Sequence, residues 1–234
     1  MPISRIESQL REKLAILHRV INHFGWDDLL ATHISAKISA QEVLISPHNV
    51  PFDEVNEDNI VKVNLSGDII SNNNYCVIQQ ALNIHLECYK KRNDINCIIH
   101  THSDNGVAVS ALECGFLFFN QQALRFYDDI SYHAYDGLAL DNEGVNIANS
   151  LGEKSILILK NHGLITTANT IENTIYKHYY LEKCMDIQLK TLSTNKEIAF
   201  IPENVCKTTR EQFRNVETPD IEFNYFKRLV NNHR

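Results

Sequence analysis

The 234-residue chain is 44% hydrophobic and 22% charged and carries a formal net charge of −7. Such a length serves one large core, with or without appendages; the composition excludes a mainly disordered chain, and the acidic balance argues against a generally basic nucleic-acid surface. One count stands out, 11 histidines, because imidazole titrates nearest neutral pH and is the commonest metal ligand.

Residues 4–24 place Ile6, Leu10, Leu14, Leu17, Val20, Ile21 and Phe24 three and four apart with charges between them, which predicts an amphipathic helix ending near Gly25. From Thr32 to Ile45 the pattern changes to short strands, with Ile34, Ala36 and Ile38 alternating with polar residues before Val43-Leu44-Ile45. A further strand is expected over Ile60 to Leu65, turning at Ser66-Gly67-Asp68. Helical spacing returns over Ala81 to Lys91, and Cys97-Ile98-Ile99-His100 reads as a buried strand ending in histidine. A short helix is expected from Asp104 to Leu112, stopped by Gly115, and strands joined by turns between Phe116 and Leu140, notably Ile130 to Tyr135. Glu143 to Leu151 is helical, and Ser155 to Leu159 is an apolar strand with Asn161-His162-Gly163 at its end. The longest helix spans Thr170 to Ser193, with Thr170 as N-cap. Residues 1–194 read as one α/β domain and 195–234 as a C-terminal extension with a short helix near Thr208 to Asn215.

Six cysteines form no CxxC pair or dense array, so reduced thiols and a cytoplasmic location are expected. The N-terminal residues alternate charge with apolar groups and lack a signal-peptide core; no run approaches the roughly 18 apolar residues of a membrane span, and no membrane partner is expected.

The chemistry concentrates in His100-Thr101-His102, because alternate residues of a strand share a side and aim two imidazoles at one point. His162 supplies a third at the end of another strand, where Gly163 permits a close turn. Three neutral imidazoles with an open position suit a divalent ion that polarises a substrate oxygen or activates water. The other reading is that these histidines hydrogen-bond to backbone in a half-buried setting.

The segments Arg92-Asn93-Asp94-Ile95-Asn96-Cys97-Ile98-Ile99-His100-Thr101-His102 and Leu157-Ile158-Leu159-Lys160-Asn161-His162-Gly163-Leu164 resemble the class II aldolase/adducin family, over about Ile6 to Leu192. Gly25-Trp26-Asp27-Asp28, Thr32-His33-Ile34-Ser35, Ala108-Val109-Ser110-Ala111-Leu112 and Tyr132-His133-Ala134-Tyr135-Asp136-Gly137 resemble its adducin-like branch. The resemblance implies a three-layer α/β/α fold with a central, largely antiparallel sheet, assembled as a homotetramer with sites near subunit interfaces. It implies that His100, His102 and His162 bind a divalent ion, zinc first with iron or manganese as alternatives, that chelates a small-molecule substrate and stabilises an enediolate.

The chain departs from the family's enzymes at two places. Where those carry Ser-Ser-Glu, with the glutamate as acid/base, this chain has Gln79-Gln80-Ala81; at the two phosphate-binding turns it has Thr32-His33 and His48-Asn49. A non-phosphorylated substrate is therefore expected. His133 is the candidate substitute acid/base or fourth ligand, or a histidine packed among aromatics; His33 and His48 are candidates to line the pocket, or ordinary loop residues, and His85 to orient the site from the core. Gln79 and Gln80 are possible hydrogen-bond partners for substrate, and Asp104 and Glu113 are the carboxylates nearest the paired histidines in sequence. His18, His23, His178 and His233 are assigned to surface or packing. Three functions follow: a metal-dependent aldolase or lyase-like enzyme, a non-catalytic adducin-like binding or assembly module, or an Fe(II) oxygenase on the same fold.

Overall fold

A computed structural model describes residues 3–71, 73–140 and 143–231. The chain opens with helix α1 (Arg5–His23), whose N-cap Ser4 accepts from the Glu7 amide, and proceeds through β1 (His33–Lys37), β2 (Glu42–Ile45) and β3 (Val61–Asn64). Helix α2 (Gln79–Lys91) leads into β4 (Cys97–Thr101) and the short helix α3 (Asp104–Ser110). After a 3₁₀ turn at residues 122–126 come β5 (Ile130–His133), α4 (Glu143–Leu151), β6 (Ile156–Leu159), β7 (Gly163–Ala168) and the long helix α5 (Ile171–Leu192). Helices α6 (Glu203–Val216) and α7 (Pro219–Asn231) complete the described chain.

The strands form one sheet in the order β3-β2-β1-β4-β7-β6-β5, antiparallel throughout except for the parallel pair β5 and β6. Because side chains alternate across a strand, each strand divides its residues between two layers. Ile34, Ala36, Cys97 and Ile99 join Leu14, Leu17, Ile21 and Ile175 beneath α1 and α5. Val43, Ile45, Ile98, Leu157 and Ile165 face the other way, against Ile84 and Leu86 of α2 and Ile147 and Leu151 of α4. The result is the expected α/β/α sandwich around a largely antiparallel sheet.

Two expectations change. The stretch from Phe116 to Leu140 contains one described strand and a 3₁₀ turn, since Phe116 and Phe126 fill a side core instead of alternating along strands. The C-terminal region forms two helices, not one short one, and α7 buries Phe223, Phe226 and Val230 in the same core as α1 and α5. The expectation for His233 lies outside the described residues.

Candidate metal centre

Register brings the three predicted histidines together. His100 lies within the five-residue strand β4, His102 just past its end, and their alternation sends both to the α2 side while Thr101 between them turns to the α5 side. β6 and β7 form a tight hairpin in which Leu159 pairs with Gly163, so His162 stands in the connecting turn beside the end of β4. Asn161, at φ 58°, takes the left-handed conformation of that turn. Gly163 has a different role from the one expected of it: a β-carbon there would lie 2.3 Å from the Thr101 carbonyl oxygen, so its hydrogen side chain is what lets the hairpin close on β4.

The imidazoles meet through their Nε2 atoms, His102 lying 2.9 Å from both His100 and His162. The other ring nitrogens say which atoms carry protons. His100 Nδ1 is 2.9 Å from the Leu164 carbonyl oxygen, which can only accept, so Nδ1 is the protonated nitrogen and Nε2 bears a lone pair. His102 Nδ1 is 3.3 Å from Asp28 Oδ2, an acceptor again, so in the neutral imidazole its Nε2 likewise bears a lone pair. Two lone pairs facing each other at 2.9 Å repel unless a cation lies against them. A divalent ion fits that donor set, with backbone and carboxylate fixing the tautomers as second-layer groups do in histidine metal sites.

Electrostatics keeps these ring nitrogens available. Burial holds the His100 imidazole well below its usual range, with His33, His102 and His162 adding to it. Burial, then His102 and His133, push His162 down to about 4. Both are therefore neutral at physiological pH, the form that binds metal.

A cavity of about 440 Å³ opens onto these histidines. Asp28, His33, Gln80, Tyr135 and Asn161 supply its polar lining, and none of its lining residues is lysine or arginine. His33 is buried, its ring centroid 4.7 Å from that of His100, and its Nδ1 is 2.8 Å from His85 Nε2. His48 borders a small gap on the other side of His33, not the cavity itself. Gln79 bonds to Asn83, and neither Asp104 nor Glu113 lines the cavity. His133 lies outside the triad: Nδ1 is 2.9 Å from Ser150 Oγ and Nε2 is 3.2 Å from Asp136 Oδ1, within a group formed by His133, Asp136 and Glu143.

The carboxylate that sequence reasoning missed is Asp28. It lies 74 positions from His102, and the loop presenting it is tied back by a hydrogen bond from the Asp28 amide to Thr32 Oγ1 at 2.9 Å. Glu182, on α5, supports the same region from the core. It is 1% exposed and accepts a 2.5 Å bond from Ser103 Oγ, the N-cap of α3, and so braces the turn that follows His102. His178 backs Thr101 and Thr166 on the α5 side, as a packing histidine.

Comparison with known proteins identifies the family and the fold. The profile of the Class II Aldolase and Adducin N-terminal domain matches residues 12–189. A "Putative aldolase class 2 protein" of Caulobacter vibrioides is 35% identical over 214 residues, covering 90% of this chain and 83% of the relative. Mouse alpha-adducin is 38% identical over 194 residues, which are 80% of this chain and 26% of the adducin. The crystal structure of an aldolase II superfamily protein from Pseudomonas syringae superposes with a TM-score of 0.93 at 32% identity, over 99% of this chain and 95% of that one. An L-fuculose 1-phosphate aldolase from Glaciozyma antarctica shares the fold, with a TM-score of 0.86 at 22% identity, over 99% of this chain and 93% of that one.

Proposed function

The chain belongs to the class II aldolase and adducin family, and on that premise we propose that it is a divalent-metal-dependent aldolase or lyase-like enzyme acting on a small, oxygenated, non-phosphorylated substrate. The observation that carries the reading is the pair of facing Nε2 lone pairs of His100 and His102, with His162 completing the set. An ion bound there supplies Lewis-acid polarisation of a substrate oxygen. Asp28 orients His102, the Leu164 carbonyl orients His100, and Gln80 and Asn161 offer amide hydrogen bonds to substrate. The lining lacks the lysine or arginine that would balance a phosphate dianion, which supports a non-phosphorylated substrate.

We assign proton transfer to His133, which is not among the lining residues but pairs with Asp136 next to Tyr135 and Gly137 of the cavity wall. His133→Gln is expected to lower turnover by about a hundredfold, within the usual range for a general acid or base, while leaving metal content unchanged. Zinc is the first candidate ion, since neutral imidazoles suit it, with iron or manganese as alternatives. Among the described residues no helix is long and apolar enough to cross a membrane. We further propose a cytoplasmic homotetramer in which exposed Leu138 and Tyr135, which line the cavity, and exposed Leu29, next to Asp28 of that lining, meet a neighbouring subunit.

Metal analysis of purified native protein beside His102→Ala tests the reading: the native protein is expected to carry about one divalent ion per chain and the variant far less. A native protein without metal supports instead a non-catalytic adducin-like module, the alternative favoured by Ala81 at the position matching the family's acid/base glutamate. Where metal is present, dioxygen consumption during a substrate screen identifies the oxygenase alternative, and its absence with carbon–carbon cleavage identifies a lyase.

A further inference from the structure

A buried polar chain reaches the metal-site cavity from beneath α2. Tyr89 Oη lies 2.8 Å from Ser35 Oγ, Ser35 Oγ lies 2.5 Å from His85 Nδ1, and His85 Nε2 lies 2.8 Å from His33 Nδ1. None of the four side chains belongs to a residue more than 4% exposed. The backbone explains the alignment: His33 and Ser35 alternate on β1 toward α2, where His85 and Tyr89 are four apart and share a face.

The chain has a direction. Ser35 is the one hydrogen-bond partner of the Tyr89 hydroxyl among the described residues, so that proton goes to Ser35 Oγ. Ser35 then donates to His85 Nδ1, and His85 donates from Nε2 to His33 Nδ1. The reverse order would leave a buried phenol proton without an acceptor. His33 is thus left with its proton on Nε2, on a ring that lines the cavity next to His100.

We propose that this chain holds His33 as a fixed Nε2–H donor to a carboxylate of the substrate, making His33 a specificity-determining residue for small 2-hydroxy or 2-keto acids and not a fourth metal ligand. A nitrogen that carries a proton cannot ligate, which removes the ligand role despite the 4.7 Å separation of the His33 and His100 rings. Charge favours a monoanion: a divalent ion among neutral imidazoles, with Asp28 alongside, leaves about one positive charge. A 2-hydroxy acid chelates through its hydroxyl and one carboxylate oxygen and leaves the second oxygen free to accept from His33. The cavity, about 440 Å³, is of the size that encloses a small ligand.

The carboxylate assignment rests on the divalent-ion reading above; the direction of the chain does not, and two measurements keep them apart. In metal-free protein, ¹⁵N NMR of labelled histidines reads the His33 tautomer directly: protonated Nε2 is expected, and protonated Nδ1 overturns the proposal. In zinc-loaded protein, calorimetric titration compares glycolate with ethylene glycol, which chelates without a carboxylate. Wild type is expected to prefer glycolate, and His33→Phe to weaken glycolate about tenfold or more while leaving ethylene glycol and zinc content unchanged. Loss of zinc from His33→Phe would make His33 a ligand, and equal glycolate affinity in variant and wild type would remove its donor role; either overturns the proposal. A wild type that takes up no zinc overturns the metal reading, whereas one that takes up zinc yet prefers neither probe overturns this inference alone.

Discussion

His100 and His102 owe their common direction to strand alternation, but their chemistry depends on what each Nδ1 touches. Asp28→Asn keeps the shape beside His102 and removes the charge that makes it a better donor to metal; zinc affinity is expected to fall about tenfold, read by competition with a chromogenic chelator. Three other histidines are buried neutral in the core: burial pushes His18 down to about 4 and His85 and His178 to about 3, against an ordinary 6.5. The unfolded chain therefore takes up protons first as pH falls, so the stability these residues contribute is intact above about pH 6.5 and is lost progressively toward pH 4 and 3. His18 alone accounts for about 3 kcal/mol over that range, a large share of the roughly 5–15 kcal/mol of a typical domain. Metal-free protein is expected to unfold cooperatively between about pH 6 and pH 4 by circular dichroism; an unfolding midpoint below pH 3 would contradict it. At this scale the pairing of His100 with His102 was legible in their two-residue spacing on a strand, and the resemblance of the Asn161-His162-Gly163 segment added His162. Asp28 was not, because its nearness to His102 comes from a loop fold with no sequence period.

Two glycines decide how elements approach. A β-carbon on Gly144 would lie 2.3 Å from the Asn83 carbonyl oxygen, where α4 crosses α2, and one on Gly163 would meet the Thr101 carbonyl oxygen and the His102 ring. Gly144→Ala is expected to cost about 1–3 kcal/mol in urea unfolding with little effect on metal content. Gly163→Ala is expected to lower metal affinity as well, because it displaces His102 itself. The helices with clear apolar spacing, α1, α2, α4 and α5, follow from the sequence to within a few residues. β7 was harder to see: Leu164-Ile165-Thr166-Thr167 is a short stretch that turns polar after two residues, and only the three-residue turn Lys160-Asn161-His162 separates its strand from β6. Helix α7 does carry a signal, Phe223, Phe226 and Val230 spaced three and four apart, set in a chain end of many charges and amides.

Across the whole molecule, α7 closes the layer formed by α1 and α5: Phe226 meets Phe24 at 6.1 Å and Tyr179 at 5.4 Å between ring centroids. Phe226→Ala is expected to destabilise the entire fold by about 3–5 kcal/mol in a single transition, because that core continues through Ile34 and Ile99 into the sheet that carries His33 and His100. Two separate transitions would show instead that residues beyond 194 form a unit of their own. What the sequence determined by itself was the class of fold and the shared side of His100 and His102, since alternation and helical spacing are local rules that burial enforces on any chain; His162 entered through the family resemblance. The tertiary structure decided the rest: that β1 lies beside β4, that Asp28 reaches His102, and that Tyr89, Ser35 and His85 order the proton on His33. Those relations depend on which strands become neighbours, and that choice is made by the packing of the whole core, not by any one stretch of residues.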